Sequence, residues 1–501
     1  MRLFGWSLAG LVLCGLPVRA DGTGGKVIED VWEVAYLEDA RAGNAHTEVR
    51  QLVHNGKTYY FTSVSLNLTV KRNRDVVQLR METGDTETTD GKVVATYLRQ
   101  FPGLDKEQLV TGVVKGSQLQ LTLDRSKPLK PAPWDPEVVG VWRQQHLLAD
   151  RKVKPGDVFS FKSFEPAVNL VLRNDVRVQD YENVELLGNT RQRLLRVETK
   201  PEKLGRVPLP TLTSWIDENY TALRKQVEIP GVGKITLYRT TKAQATGRPT
   251  VDRLTDVGIK QLVPLARSIS RPYDTRSAVY RITIAGDDDP ASTFSHDKRQ
   301  QVKNVKGNSF ELHIRAARMP LSAADDPADK AAGDEFIKSC YFINSDDDRV
   351  KRLARQAVGM ETDPWRKAVK IEGWVHTHMR VVNDEGMATA DHVARTLRGD
   401  CTEFAMLAAA MCRAEGVPSR TAIGLIYAAG GSRPAFAFHM WTEVWIKGRW
   451  VPIDATLGRG YVGATHLKVT DHSWSETLTM APVLPLIRVL HRVRIEVMSV
   501  E

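Results

Sequence analysis

Three residues of this chain have the types and the order of a thiol nucleophile, its base and the group that orients the base. Cys401 stands in the run Arg398-Gly399-Asp400-Cys401-Thr402-Glu403. His439 begins His439-Met440-Trp441-Thr442-Glu443-Val444-Trp445, and Asp454 follows Trp450-Val451-Pro452-Ile453. A thiolate attacks carbonyl carbon, an imidazole beside it takes the thiol proton, and a carboxylate fixes the imidazole tautomer. The set points to acyl transfer on amides. Each residue alone is ordinary: free cysteines are often core residues, strand histidines are mostly just hydrogen-bonded, and an aspartate at a strand end commonly forms a turn.

The elements that must position these residues can be read locally. Asp400 and Glu403 have the spacing of a capping box, so a helix starts at Cys401 and runs through Phe404, Met406, Leu407 and Met411. Gly416 fits the position after its end, and Pro418 stops it. Cys401 then occupies the first helical position, where free backbone N–H groups and the positive end of the helix dipole favour a thiolate and an oxyanion. Cys412, late in the same helix among Ala and Met, reads as structural. Strands follow from Thr421 to Tyr427, Phe436 to Ile446 and Trp450 to Ile453, with Gly448-Arg449 as the last turn. A period of two puts His439, Trp441 and Glu443 on one face and Met440, Thr442 and Val444 on the other. The turn brings Asp454 back toward that sheet, at a level spacing alone does not fix.

With Arg413-Ala414-Glu415-Gly416-Val417-Pro418-Ser419-Arg420 these runs make four motifs in order. On them, residues from about Ser345 to Leu467, about a quarter of the chain, resemble a transglutaminase-like core domain of the papain-like cysteine hydrolase group. The resemblance implies an α+β fold in which the cysteine helix packs on an antiparallel sheet. It implies Cys401 as nucleophile, His439 as base and Asp454 as orienting acid. It further implies a thioester that water or an amine resolves, on a protein or peptide substrate. Trp441 and Glu443 are expected to frame the site. The family can use a tryptophan indole at the oxyanion, but nothing aligns Trp374 with that role. The triad is chemically complete, so no metal or organic cofactor is expected. His376 and His392 lack zinc-ligand spacing and read as surface or packing residues. Upstream, an acidic start at Asp346-Asp347-Asp348 leads into a helix to Val358. A second helix is expected from Pro364 to about Arg380, and a third from Ala390 to Leu397 with Thr389 as cap.

The first twenty residues read as a secretory signal peptide: Arg2, an uncharged apolar stretch from Leu3 to Val18, and Val18-Arg19-Ala20 as cleavage site. Export to a periplasm or the cell exterior follows. Cys14 has Leu13 before it, too large for a good lipoprotein site. Loss of Arg2 and Arg19 takes the net charge from +10 to +8. Such a basic chain is drawn to anionic surfaces. Its charges are interleaved and lack a Lys/Arg-rich helix or stacking aromatics, which argues against nucleic acid. No segment reaches the length of a membrane span. Of the remaining thiols, Cys340 and Cys412 either pair or stay free; both arrangements leave Cys401 reduced.

Residues 21–270 read as a β-rich domain, a curved antiparallel sheet or half-barrel. Strand signals recur from Val31 to Arg239, and tight hairpins are marked at His54-Asn55-Gly56-Lys57 and Thr88-Thr89-Asp90-Gly91. One short helix is expected there, capped by Asp135 with Pro136 at its first position and ending near Leu148. Residues 271–340 read as a small β module or linker with acidic loops at Asp287–Asp289 and Asp325–Asp329, neither of EF-hand spacing. Residues 341–501 hold the core domain. The competing reading is a non-catalytic binding or assembly protein that keeps the core as a scaffold.

Overall fold

The computed structural model describes residues 24–72, 75–101, 107–249, 253–318, 332–383, 386–429, 433–479 and 481–501. The expected signal peptide with Cys14, the Asp325–Asp329 loop and Gly430–Ser432 lie outside them. The fold is α+β.

The N-terminal half is one 15-stranded antiparallel sheet. Two meanders join where Gly233–Thr240 pairs with Lys26–Leu37, in the register Trp32↔Thr240 to Leu37↔Ile235. Alternation of buried and exposed residues is clear in strands such as Leu170–Glu185, as expected for a sheet with one face on a core. Asn55 and Gly56 both have positive φ, 50° and 73°. The hairpin at His54↔Lys57 therefore uses the turn whose twist matches its strands.

The expected Asp135-capped helix is corrected. The helix is Val141–Arg151, and Pro136 precedes it. Asp135 is bound elsewhere, to the Glu137 N–H and the Lys162 ammonium. The first turn is satisfied instead from the sheet: Asp85 accepts the Val141 N–H at 2.8 Å and Glu87 accepts the Arg143 N–H at 2.9 Å.

In the C-terminal half, one apolar cluster extends from Val263 to Val497. A four-stranded sheet orders Gln300–Lys306, Ser309–Arg315, Ser277–Ile284 and Val493–Val500. The site-bearing elements are helices α1 (Asp348–Val358), α2 (Pro364–His378), α3 (Ala390–Thr396) and α4 (Cys401–Ala414), and strands β1 (Ser419–Ala428), β2 (Ala435–Ile446), β3 (Arg449–Ile453) and β4 (His466–His472). Asp347 caps α1, and Asp363 caps α2 with Pro364 at its first position. Helix α2 ends two residues before Arg380, which instead pairs with Arg398. Thr389 precedes α3 without capping it, because its hydroxyl donates to Asp391 at 2.5 Å. Strand β1 lies between β4 and β2, and β3 pairs with β2, all antiparallel.

Helix α4 is buried on every side from Thr402 to Arg413, so it is a central helix and not an amphipathic one. Its end is a Schellman motif: Gly416 at φ 77° donates to Arg413 O, and Val417 donates to Cys412 O. The β2 face carrying Met440, Thr442 and Val444 meets α4, with the Thr442 hydroxyl donating to Ala405 O at 3.0 Å.

Candidate active site

The start of α4 is built around two carboxylates. Asp400 Oδ1 accepts the Thr402 N–H at 2.8 Å, and Glu403 Oε2 accepts the Asp400 N–H at 2.9 Å, completing the capping box. Glu403 Oε1 also accepts the Ala388 N–H at 3.0 Å, tying in the segment before α3. Burial, reinforced by the neighbouring Asp400 charge, pushes the Glu403 carboxyl well above its usual range. Gly399 is required here: its φ is +149°, and a Cβ would sit 2.2 Å from the Glu403 Cβ. Cys401 is half-buried at the first helical position.

The structure brings the three candidate residues together. His439 Nε2 lies 2.8 Å from Asp454 Oδ2, and Cys401 stands near enough to the same ring to raise its proton affinity. With Nε2 on the carboxylate, Nδ1 is the nitrogen left for sulfur. Burial disfavours the imidazolium, but Asp454 and the thiol outweigh it and push His439 up to about 10. Burial would likewise raise the Asp454 carboxyl, yet the two rings against it hold it far below the carboxylate range.

Two residues at this site were not read from the sequence. His466, at the start of β4, places its Nε2 3.0 Å from the same Asp454 oxygen. It is fully buried, and burial lowers it to about 4, so it stays neutral and donates its N–H. Glu372, on α2, accepts the Asp454 backbone N–H at 3.0 Å; burial pushes it up to about 8. The weak signal for His466 was a histidine among β-branched neighbours in a strand following the aspartate. Glu372 gave only an acidic residue beside Ile371 on a buried helix face.

Trp441 stacks on His439 with ring centroids 6.1 Å apart and meets His466 edge-on. Glu443 is part of an ion-pair cluster. It is locked between Arg420 at 2.7 Å and the buried Lys468 at 3.1 Å, and these also bind Asp471. Trp441 packs against the His439 ring, whereas Glu443 belongs to this ion-pair cluster. His376 packs on the turn after Asp454, its ring 3.2 Å from Ala455 O. Cys340, Cys401 and Cys412 are all free, so the Cys340–Cys412 pairing is not present.

Ligand-type atoms of His439, Asp454 and His466 lie within 4.8 Å of one another, a spacing that could hold a metal ion. Both ring nitrogens already face one ionised oxygen as N–H donors, so a cation there would have to displace both protons. Among the described residues no helix is long and apolar enough to cross a membrane.

Residues 351–455 match the family model of the Transglutaminase-like superfamily. A stretch of 82 residues is 35% identical to the kyphoscoliosis peptidase of Mus musculus, covering 16% of this chain and 12% of that protein. A candidate cysteine protease of Cytophaga hutchinsonii aligns at 17% identity and TM-score 0.29, over 46% of this chain and 85% of the other. A β-barrel-like protein with a domain of unknown function from Brucella abortus aligns at 12% identity and TM-score 0.31, over 42% and 95%.

Proposed function

We propose that this chain, whose residues 351–455 make a transglutaminase-like domain, is an exported cysteine-dependent enzyme acting on amide bonds of proteins or peptides through a thioester. The observation that carries the reading is the buried His439–Asp454 hydrogen bond, with Cys401 at the start of a capped helix acting on the same ring.

The chemistry follows from that line. The thiol proton moves to His439 Nδ1, and the ion pair so formed is stabilised by Asp454. Sulfur adds to the amide carbon, and negative charge collects on the carbonyl oxygen, where first-turn N–H groups of α4 favour it. The imidazolium returns its proton to the leaving nitrogen, the C–N bond breaks, and a thioester remains. Water or an amine then attacks the thioester carbon while His439 takes its proton, and sulfur leaves as the thiol. Ammonia leaves from a glutamine side chain, or an amine from a cleaved peptide; the triad serves either. The apolar stretch after Arg2, with its Ala20 site, supports export.

The test is a comparison of the full chain with Cys401→Ala on glutamine-bearing peptides. Ammonia release, amine incorporation and peptide cleavage are followed, with circular dichroism confirming the fold. Loss of every activity in a folded Cys401→Ala is the expected result. Activity that survives the substitution overturns the mechanism. A wild-type chain without turnover, whose Cys401 alkylates no faster than an ordinary thiol, would favour the scaffold reading instead.

A further inference from the structure

The N-terminal sheet reaches the cysteine. Strand Lys57–Arg72 and its partner Asp75–Thr88 pair to the register Arg72↔Asp75, and both end residues touch the transglutaminase-like domain. Arg72 Nη1 lies 2.5 Å from Asp400 Oδ2, the oxygen not used for capping. Asp75 Oδ2 accepts the Asn383 backbone N–H at 3.2 Å and its side-chain N–H at 2.9 Å. The Arg72 and Asp400 side chains are only 24% and 8% exposed, so their attraction is weakly screened.

Asp400 poses an electrostatic problem. Its ionised carboxylate is the better cap, but a negative charge one residue from Cys401 opposes formation of a thiolate. Glu403 lies beside it, its carboxyl raised by burial, with both oxygens accepting backbone N–H groups, those of Asp400 and Ala388. The groups facing Cys401 are thus Asp400 and Glu403 from α4, His439 from β2 with Asp454 and His466 behind it, and Arg72 from the N-terminal sheet. Burial disfavours the Arg72 charge, yet Asp400, Cys401 and Glu403 together hold it above its ordinary value.

We infer that Arg72 is a positioning residue of the cysteine site: it neutralises Asp400, so the helix cap and the Cys401 thiolate can coexist. The N-terminal sheet is thereby part of the active centre rather than an appended binding domain. The inference rests on the cysteine-enzyme reading above.

The experiment is the pH dependence of iodoacetamide alkylation at Cys401, read by peptide mass spectrometry on the full chain. Arg72→Gln should move the midpoint of the reactivity rise upward by about one pH unit, at the low end of the effect of a nearby opposite charge. Arg72→Lys should restore most of it. Asn383→Ala, which loosens the same hairpin without touching the charge at Asp400, should keep the wild-type midpoint. An unmoved midpoint in Arg72→Gln overturns the inference, as does an equal shift in Asn383→Ala, which would make docking alone the cause. His439→Ala separates the two readings. If it removes low-pH reactivity while Arg72→Gln shifts nothing, only the role of Arg72 falls. If it changes nothing, the Cys–His pair and this inference fall together.

Discussion

Replacing Asp454 by asparagine should remove a pH-dependent part of the stability, and the structure sets its size. One carboxylate oxygen accepts from both His439 and His466, and the other accepts the Thr456 N–H at 2.9 Å. An amide can keep its oxygen toward the rings only by turning its NH2 against that backbone donor. Without the negative charge, burial alone acts on His439, and its value should fall from about 10 to below the ordinary histidine range. A group whose folded value is raised stabilises fully below its unfolded value, about 6.5, and that stability is lost as pH rises through the folded value, about 10. Within this window the native state binds one more proton, and stability falls by about 1.4 kcal/mol per pH unit.

Asp85 titrates at about 7, and Glu87 and Glu372 at about 8. The interval from about pH 8.5 to about pH 10 lies above these three, and about 1.5 units there amount to about 2 kcal/mol for His439. The assay is urea unfolding in a Cys401→Ala background, with and without Asp454→Asn, so that titration of the other thiols cancels in the difference. The Asp454 chain should lose more across the interval, at most about 2 kcal/mol, because removing Cys401 takes away the thiol's share of the rise. Parallel curves would refute the assignment of a buried imidazolium held by Asp454.

Two further perturbations test other parts of the structure. Burial raises Asp85 to about 7, and burial plus the Asp85 charge raises Glu87 to about 8. Stability that these groups give below their unfolded values, about 4, is lost as pH rises through the folded ones. Asp85→Asn with Glu87→Gln should accordingly flatten the decline in urea midpoint between about pH 5 and about pH 8, and an unchanged decline would contradict it. Gly424 sits where a Cβ would be 2.0 Å from Leu467 O in the neighbouring strand β4. Gly424→Ala should cost about 1–3 kcal/mol and displace His466, visible as a lower melting temperature and altered histidine NMR titrations; an unaltered melt would count against this packing.

What was legible in the sequence is what neighbouring residues decide. The Asp400–Glu403 box, the Gly416 termination and the Asn55-Gly56 turn each depend on a few consecutive side chains, and the structure contains all three. The alternation on β2 was legible for the same reason, so Thr442 faces α4 while His439 faces Asp454. The helix expected at Asp135 went astray because its true cap comes from Asp85 and Glu87 on a distant strand. His466, Glu372 and Arg72 are distant in the same sense. Each is placed by an element whose position depends on pairing across the fold: β4 on β1, α2 beneath Asp454, and a hairpin tip against Asn383. No spacing rule connects residue 72 to residue 400.

The arrangement also explains why one of two histidines on the same carboxylate is charged. A single buried negative charge can compensate only one imidazolium; a second would stand beside the first with burial and like charge both against it. His439 has the shorter contact, 2.8 Å against 3.0 Å, and also the Cys401 thiol. It takes the proton, while His466 falls to about 4 and remains a neutral N–H donor. Its neutrality is useful. A charged His466 would compete with His439 for Asp454 and lower that ring's proton affinity, whereas a neutral one fixes the carboxylate without altering the charge balance. Glu372 does the same for the Asp454 backbone, since at about 8 it is largely protonated near pH 7. Asp454 is thus held by groups that add almost no charge, and its full negative charge is directed at the one ring that reaches the thiol.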